Sequence, residues 1–209
     1  MNINKILLIG ATGATGQELL PHLLAAGYIV TALVRRPEAV TTKNEHLTVV
    51  PGNLRDPAVV ERAVQGQDAV VCAFGSRVLK KDDIQEVLMR NLVAAMTKHG
   101  VKRLVNLSAW GADDTMRPHG LMQLILQKAL LHNIFADKAR GEKLLFASNL
   151  DYVNVRPGRL LDKPERGGVK ASADGKGIEE KLTRADVADW MVAQLTSETW
   201  VRKCPIIGY

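Results

Sequence analysis

Gly10-Ala11-Thr12-Gly13-Ala14-Thr15-Gly16 decides the reading of this chain. The apolar run Lys5-Ile6-Leu7-Leu8-Ile9 precedes it, and a stretch of apolar periodicity from Gln17 to Ala26 follows it. Strand, glycine turn and helix in that order are the context in which a glycine pattern builds a phosphate site. Gly10 allows a tight turn off the strand, and Gly13 lets backbone N–H groups approach a pyrophosphate with no Cβ in the way. Gly16 lets the helix pack close to the strand. The first helical turn, with Ala14 and Thr15, then offers unpaired N–H donors and a partial positive charge to the phosphates. Gln17 stands where a Walker A loop needs lysine, so this is not that loop. Gly and Thr also make ordinary strand-to-helix turns, but three glycines at this spacing, so near the N-terminus, select dinucleotide binding.

The next strand, Tyr28 to Val34, ends at Arg35-Arg36-Pro37. In an NAD site this strand end carries Asp or Glu, about 20 residues past the glycines, to accept from the ribose 2′-OH. Here two guanidinium groups stand in that place, and their fork suits a 2′-phosphate. The expected cofactor is therefore NADPH (NADP) rather than NADH. Arg35, at the strand end, is better placed than Arg36; the plainer alternative for both is a solvated loop charge.

Strand-length apolar runs alternate with helical periodicity along the rest of the chain, which argues for βαβ units on a parallel sheet. Strands are expected over 5–9, 28–35, 47–50, 68–74, 103–107 and 152–156. Gly27 and Gly100 fall at helix C-termini, Asp82 or Asp83 can cap the helix running to His99, and Thr183 can cap the helix from Arg184 to Leu195. Pro21 lies inside the first helix, where it can introduce a kink. The expected fold is an α/β, doubly wound parallel sheet (Rossmann fold, order 3-2-1-4-5-6), with a small substrate lobe from C-terminal loops, all within one domain over residues 1–209. In such sheets the ligand lies across the carboxyl ends of the strands. The loops there hold Asn53-Leu54, expected near the adenine; Gly75 and Arg77, for backbone approach and a phosphate; Leu107-Ser108-Ala109-Trp110; and Arg156-Pro157-Gly158-Arg159.

Composition bounds the function class. With 46% hydrophobic and 24% charged residues the chain reads as an ordinary soluble globular protein. No apolar run approaches the roughly 20 residues of a membrane span, and the N-terminus enters a strand directly, so no signal peptide is expected. Cys72 and Cys204 have no metal-ligand spacing with histidine and make no disulfide framework, so no metal is expected and the cytosol is the expected compartment. The net charge of +6 lies wholly in residues 76–209, because residues 1–75 hold six basic and six acidic side chains. An anionic small-molecule substrate fits that asymmetry. Nucleic acid does not, since no basic run is interleaved with aromatics. The apolar segment Leu121 to Leu131 could bind a partner helix, cap the substrate pocket or pack on the core. A monomer or weak homo-oligomer is expected.

Several motifs together give a resemblance. They are Gly-Ala-Thr-Gly-x-Thr-Gly from Gly10, Val34-Arg35, Gly66-Gln67-Asp68-Ala69-Val70, Gly75-x-Arg77, Asn91-x-Val93-Ala94-Ala95-Met96, His99-Gly100-Val101, Ser108-Ala109 and Tyr209. With them the chain resembles the atypical short-chain dehydrogenase/reductases of the NmrA-like, NAD(P)-binding group, and within it the biliverdin-IXβ (flavin) reductases. The resemblance implies that Thr12, Arg35 and Arg77 contact NADPH and that Ser108 lines the nicotinamide end. Two departures stand out. Arg159 replaces the histidine that the resemblance places just after the strand-six proline. The Tyr-x-x-x-Lys pair is also absent, because Lys138 fits the lysine position but Ile134 stands four residues before it. Lys138 is open to two readings, ribose contact or a solvated helix charge. So is Arg159, which could attract an anionic group of the acceptor or pair with Asp162.

Without a tyrosine acid the site is poorly equipped to reduce a simple ketone, whose alkoxide needs a proton donor or strong stabilisation. A flavin or a conjugated tetrapyrrole asks less, because the electron pair spreads over a π-system and the protein mainly holds the two partners together. Ser108 is expected to act there as hydrogen-bond donor. The expectation is an NADPH-dependent reductase of a planar, conjugated, anionic acceptor. The alternative is a non-catalytic NADP(H)-binding regulator, and a third reading, a reductase or epimerase of sugar-like substrates, is weakened by the missing tyrosine.

Overall fold

The computed structural model describes residues 3–75, 82–112 and 132–209. Arg77 and the apolar segment from Leu121 to Leu131 lie outside the described residues.

Six parallel strands form the backbone of the sheet: β1 (Lys5–Ile9), β2 (Ile29–Val34), β3 (Leu47–Pro51), β4 (Ala69–Cys72), β5 (Arg103–Leu107) and β6 (Asp151–Pro157). Their spatial order is β3-β2-β1-β4-β5-β6, the expected doubly wound arrangement. β1 pairs with both β2 and β4, setting Ile6 beside Val30 on one side and Ala69 on the other. Its burial on both faces explains why Ile6-Leu7-Leu8-Ile9 reads as a continuous apolar run rather than an alternating one.

Three short strands follow β6: β7 (Arg159–Leu161), β8 (Lys170–Ser172) and β9 (Lys181–Thr183). The last strand is β10 (Ile206–Gly208). β10 joins β6 in parallel and β8 in antiparallel, extending the main sheet to eight strands among the described residues, while β7 and β9 pair separately.

Helices cover both faces: α1 (Ala14–Ala25), α2 (Pro57–Val64), α3 (Ile84–His99), α4 (His132–Phe146) and α5 (Arg184–Ala193). On one face Leu19, Leu20 and Leu23 of α1 meet Val187, Ala188 and Met191 of α5 over Ile6, Leu8, Val30 and Val105. On the other, Val60 and Val64 of α2, Leu88, Leu92 and Met96 of α3 and Leu145 of α4 pack over Leu7, Ile9, Val70 and Leu104. α1 runs through Pro21.

Thr183 caps α5 as expected, its hydroxyl accepting from the Asp186 N–H at 3.1 Å. The start of α3 differs from expectation. Asp83 occupies the N-cap position, but its side chain makes no cap bond. Asp83 and Asp82 instead hold the Arg55 guanidinium at 2.7 and 2.6 Å. The carboxylate that caps α3 comes from α4, where Asp137 accepts from the backbone N–H groups of Gln85 (2.9 Å) and Glu86 (3.3 Å).

Candidate functional site

A cavity of about 470 Å³ opens where the glycine loop leaves β1. Gly10, Thr12 and Gly13 line it from that loop, Arg35 and Arg36 from the end of β2, and Asn53, Leu54 and Arg55 from the loop after β3. Ala73, Phe74 and Gly75, after β4, complete the wall with Asp82 and Ile84. Each lining segment follows a parallel strand, which is where a doubly wound sheet places its ligand.

The loop tolerates no side chain at two of its glycines. A Cβ on Gly10, which sits at φ +89°, would lie 2.7 Å from the Ala73 carbonyl carbon, and one on Gly16 would lie 1.9 Å from the Gly10 carbonyl oxygen. Gly10 thus brings the glycine loop against the β4 loop, and Gly16 seats α1 on the loop. Ala14, Thr15 and Gly16 form the first turn of α1. No side chain caps that helix, and its first turn holds no acidic residue. A helix start of that kind is built for an anion supplied from outside the chain. These features fit a dinucleotide pyrophosphate.

Arg35 and Arg36 are exposed at the cavity wall. Neither is paired with a carboxylate among the described residues, in contrast to Arg55, which is held by Asp82 and Asp83. The hydrogen bond from Arg55 keeps Asp83 below the usual carboxylate range.

A second, narrow cleft lies beside the first. Gln85, Met89, Asn106, Ser108, Lys138, Gly141 and Glu142 line it. Gln85 joins the two, its side-chain amide donating to the Phe74 carbonyl at 3.1 Å. Part of the cleft wall is a buried polar network centred on Glu142. Its Oε1 accepts from the Ser108 hydroxyl at 2.5 Å and from Asn154 Nδ2 at 2.8 Å, and its Oε2 accepts from Arg156 Nη2 at 2.6 Å. Asn106 Nδ2 donates to Asn154 Oδ1 at 2.7 Å. Ser108 therefore gives its proton to Glu142 within the same wall of the cleft.

Lys138 lies one helical turn before Glu142, and its Nζ reaches the Leu107 carbonyl at 3.4 Å. Burial pushes its pKa down, with Cys72, Glu142 and Asp137 opposing. It is not a solvated helix charge, which leaves ribose contact as its open reading. Arg159 is exposed on β7, with its N–H donating to the Glu180 carbonyl at 2.6 Å. The expected alternative for its side chain fails, because Arg184 takes Asp162. Pro157 is buried at the end of β6, and its carbonyl accepts from the Trp110 N–H at 2.9 Å, tying the Ser108–Trp110 segment to that strand.

Sequence reasoning missed Glu142, Asn106, Asn154, Arg156 in its ion-pair role, Gln85 and Arg55. A signal for three of them was present. Asn106 in β5 and Ser108 just past its end alternate, as do Asn154 and Arg156 along β6, and Asn106 registers with Asn154. Polar residues at every second position of otherwise apolar strands mark one polar stripe on one face.

Comparison with known proteins gives the site its family. An uncharacterised chloroplast protein of Arabidopsis thaliana is 30% identical over 210 residues, covering 93% of this chain and 72% of the relative. A (4-alkanoyl-5-oxo-2,5-dihydrofuran-3-yl)methyl phosphate reductase of Streptomyces griseus is 38% identical over 109 residues, covering 52% of this chain and only 36% of that enzyme. Two solved structures share the fold, each with a TM-score of 0.78. One is a short-chain dehydrogenase/reductase from Veillonella parvula in complex with NADP, 21% identical and matched over 100% of this chain and 95% of its own. The other is ChuY, an anaerobilin reductase from Escherichia coli O157:H7, 22% identical and matched over 98% and 97%. The model of the NAD(P)H-binding family matches from residue 10 to residue 198, from the glycine loop to beyond α5, and this chain belongs to that family.

Proposed function

We propose that the chain is an NADPH-dependent reductase whose acceptor is a planar, conjugated, anionic molecule such as a flavin or a bilin. The carrying observation is the pair of guanidinium groups, Arg35 and Arg36, that line the cavity with no carboxylate partner among the described residues. In this reading Gly10, Thr12 and Gly13 hold the pyrophosphate, Arg35 and Arg36 the 2′-phosphate, and Asn53 and Leu54 the adenine. Gly75 admits the cofactor past the β4 loop, and Lys138 reaches the nicotinamide ribose.

Bound NADPH supplies the hydride. The chain's own contribution is to hold an acceptor against the cofactor beside Ser108 and Lys138, which is a proximity effect. Among the described residues no tyrosine lines either cavity, which favours an acceptor whose π-system spreads the added electron pair. The printed activity of the ChuY neighbour, anaerobilin reduction, and the reductase name of the Streptomyces relative support the same class. In this reading Arg159 attracts an anionic group of the acceptor. A cytosolic location rests on the sequence; among the described residues no helix is long and apolar enough to cross a membrane.

The test is NADPH oxidation by purified protein with FMN and with biliverdin, together with dissociation constants for NADPH and NADH. Arg35→Ala should weaken NADPH binding about 10- to 100-fold, the value of a charge-assisted hydrogen-bond pair, and leave NADH binding nearly unchanged. Tight NADPH binding with no oxidation of any acceptor would replace this reading with that of a binding protein.

A further inference from the structure

The polar network in the wall of the cleft does more than fill buried space. A serine hydroxyl has one proton to donate and two lone pairs to accept with. Ser108 is buried, and its proton is committed to Glu142 Oε1 at 2.5 Å. A carboxylate offers only acceptors, so the serine cannot reverse the direction of this bond. The rest of the network fixes the carboxylate in turn. Arg156 occupies Oε2 at 2.6 Å, Asn154 shares Oε1 at 2.8 Å, and Asn106 orients Asn154. Because Glu142 and Arg156 are both buried, neither can turn to water without leaving the other charge stranded. What Ser108 presents to the cleft is therefore oxygen lone pairs.

We propose that Glu142 is a positioning residue that makes Ser108 a hydrogen-bond acceptor, and that the site thereby selects acceptors carrying an N–H on the rim of the conjugated system. The flavin N3–H and the pyrrole or lactam N–H of a bilin qualify, whereas a quinone, which presents only oxygens, does not. The inference rests on the reductase reading for the identity of the cleft, and its test can fail separately from that reading.

The test is equilibrium binding, followed by flavin fluorescence, of lumiflavin and of 3-methyllumiflavin to the NADP⁺-saturated protein. The two probes differ only in the N–H. Wild type should bind lumiflavin about tenfold more tightly, the worth of one hydrogen bond to a buried acceptor. In Glu142→Gln the new side chain keeps its oxygen on Arg156 and turns its NH₂ toward Ser108, which frees the serine proton for the cleft, so the preference should fall to about onefold. Ser108→Ala removes the acceptor without stranding Arg156, and should lose the preference equally; it carries the test should Glu142→Gln not fold. Equal binding of the two flavins by wild type, or failure of lumiflavin to bind, overturns the inference. So does a preference that survives in Ser108→Ala, since that would be steric. NADPH oxidation measured in parallel separates the two claims. Preference without oxidation removes the reductase reading alone, and oxidation without preference removes the selection by N–H alone.

Discussion

Lys138 shows what the site asks of a single side chain. Its ammonium reaches one carbonyl at 3.4 Å in a setting where burial disfavours charge. A lysine whose pKa is lowered by folding works against stability at every pH below its unfolded pKa, because the unfolded chain holds the proton more tightly, and the penalty fades only as the pH rises from the folded to the unfolded value. Lys138→Met should therefore be more stable than wild type near pH 7. That advantage should shrink as the pH rises toward the ordinary lysine value of 10.5, a trend that denaturant titrations at several pH values will show. At this scale the sequence told unequal amounts. Arg35 was legible because strand ends in a doubly wound sheet have known neighbours. Glu142 was not, because its partners Ser108 and Arg156 lie 34 and 14 residues away, and no local period links them.

The helix α3 is held at its start by another helix. Asp137 caps it from α4, and Arg140, one turn later on α4, adds bonds to Asp137 Oδ1 (3.1 Å), Glu86 Oε2 (2.8 Å) and the Asp82 carbonyl (3.0 Å). The same turn of α3 carries Ile84 and Gln85, which wall the cavity and the cleft. Asp137→Ala should cost roughly 1–2 kcal/mol, the usual worth of a lost N-cap carboxylate, and should weaken NADPH binding as well. Equilibrium unfolding in urea, with the cofactor titrated separately, will read both effects. The elements themselves were largely visible in the sequence, since β1 to β6 are apolar runs between helical periods. The capping carboxylate was not, because it lies 52 residues from the amide it caps. The strands β8 and β10, three residues each, are too short to show a period of two.

Across the whole molecule, the end of the chain is tied back to α5 through Asp186. Asp186 accepts from the backbone N–H groups of Arg166 (3.1 Å) and Gly167 (2.7 Å), from the Thr183 hydroxyl (2.5 Å) and from the Tyr209 hydroxyl. The Arg166 guanidinium lies 4.1 Å from the Tyr209 ring centroid. Burial raises the pKa of Asp186, but these hydrogen bonds together outweigh it and hold the group below the usual carboxylate value. A depressed carboxylate contributes its stability above the unfolded pKa, about 3.9, and loses it as the pH falls through the folded one. Asp186→Asn should cost about 1.5–3 kcal/mol at pH 7, and its deficit relative to wild type should close in acid. Thermal melts from pH 7 downward will show this.

The contact between Gly10 and the Ala73–Phe74 backbone has a consequence for how long the molecule survives. The cradle is made by two stretches about sixty residues apart, and it exists only once β1 and β4 have paired. An unfolded chain therefore has nothing with which to grip a dinucleotide. Occupancy then protects the entire fold by mass action, about 2.7 kcal/mol at a hundredfold excess over Kd. Nucleotide supply and protein lifetime become coupled through that one junction: starved of nucleotide, the same chain opens more often to proteases.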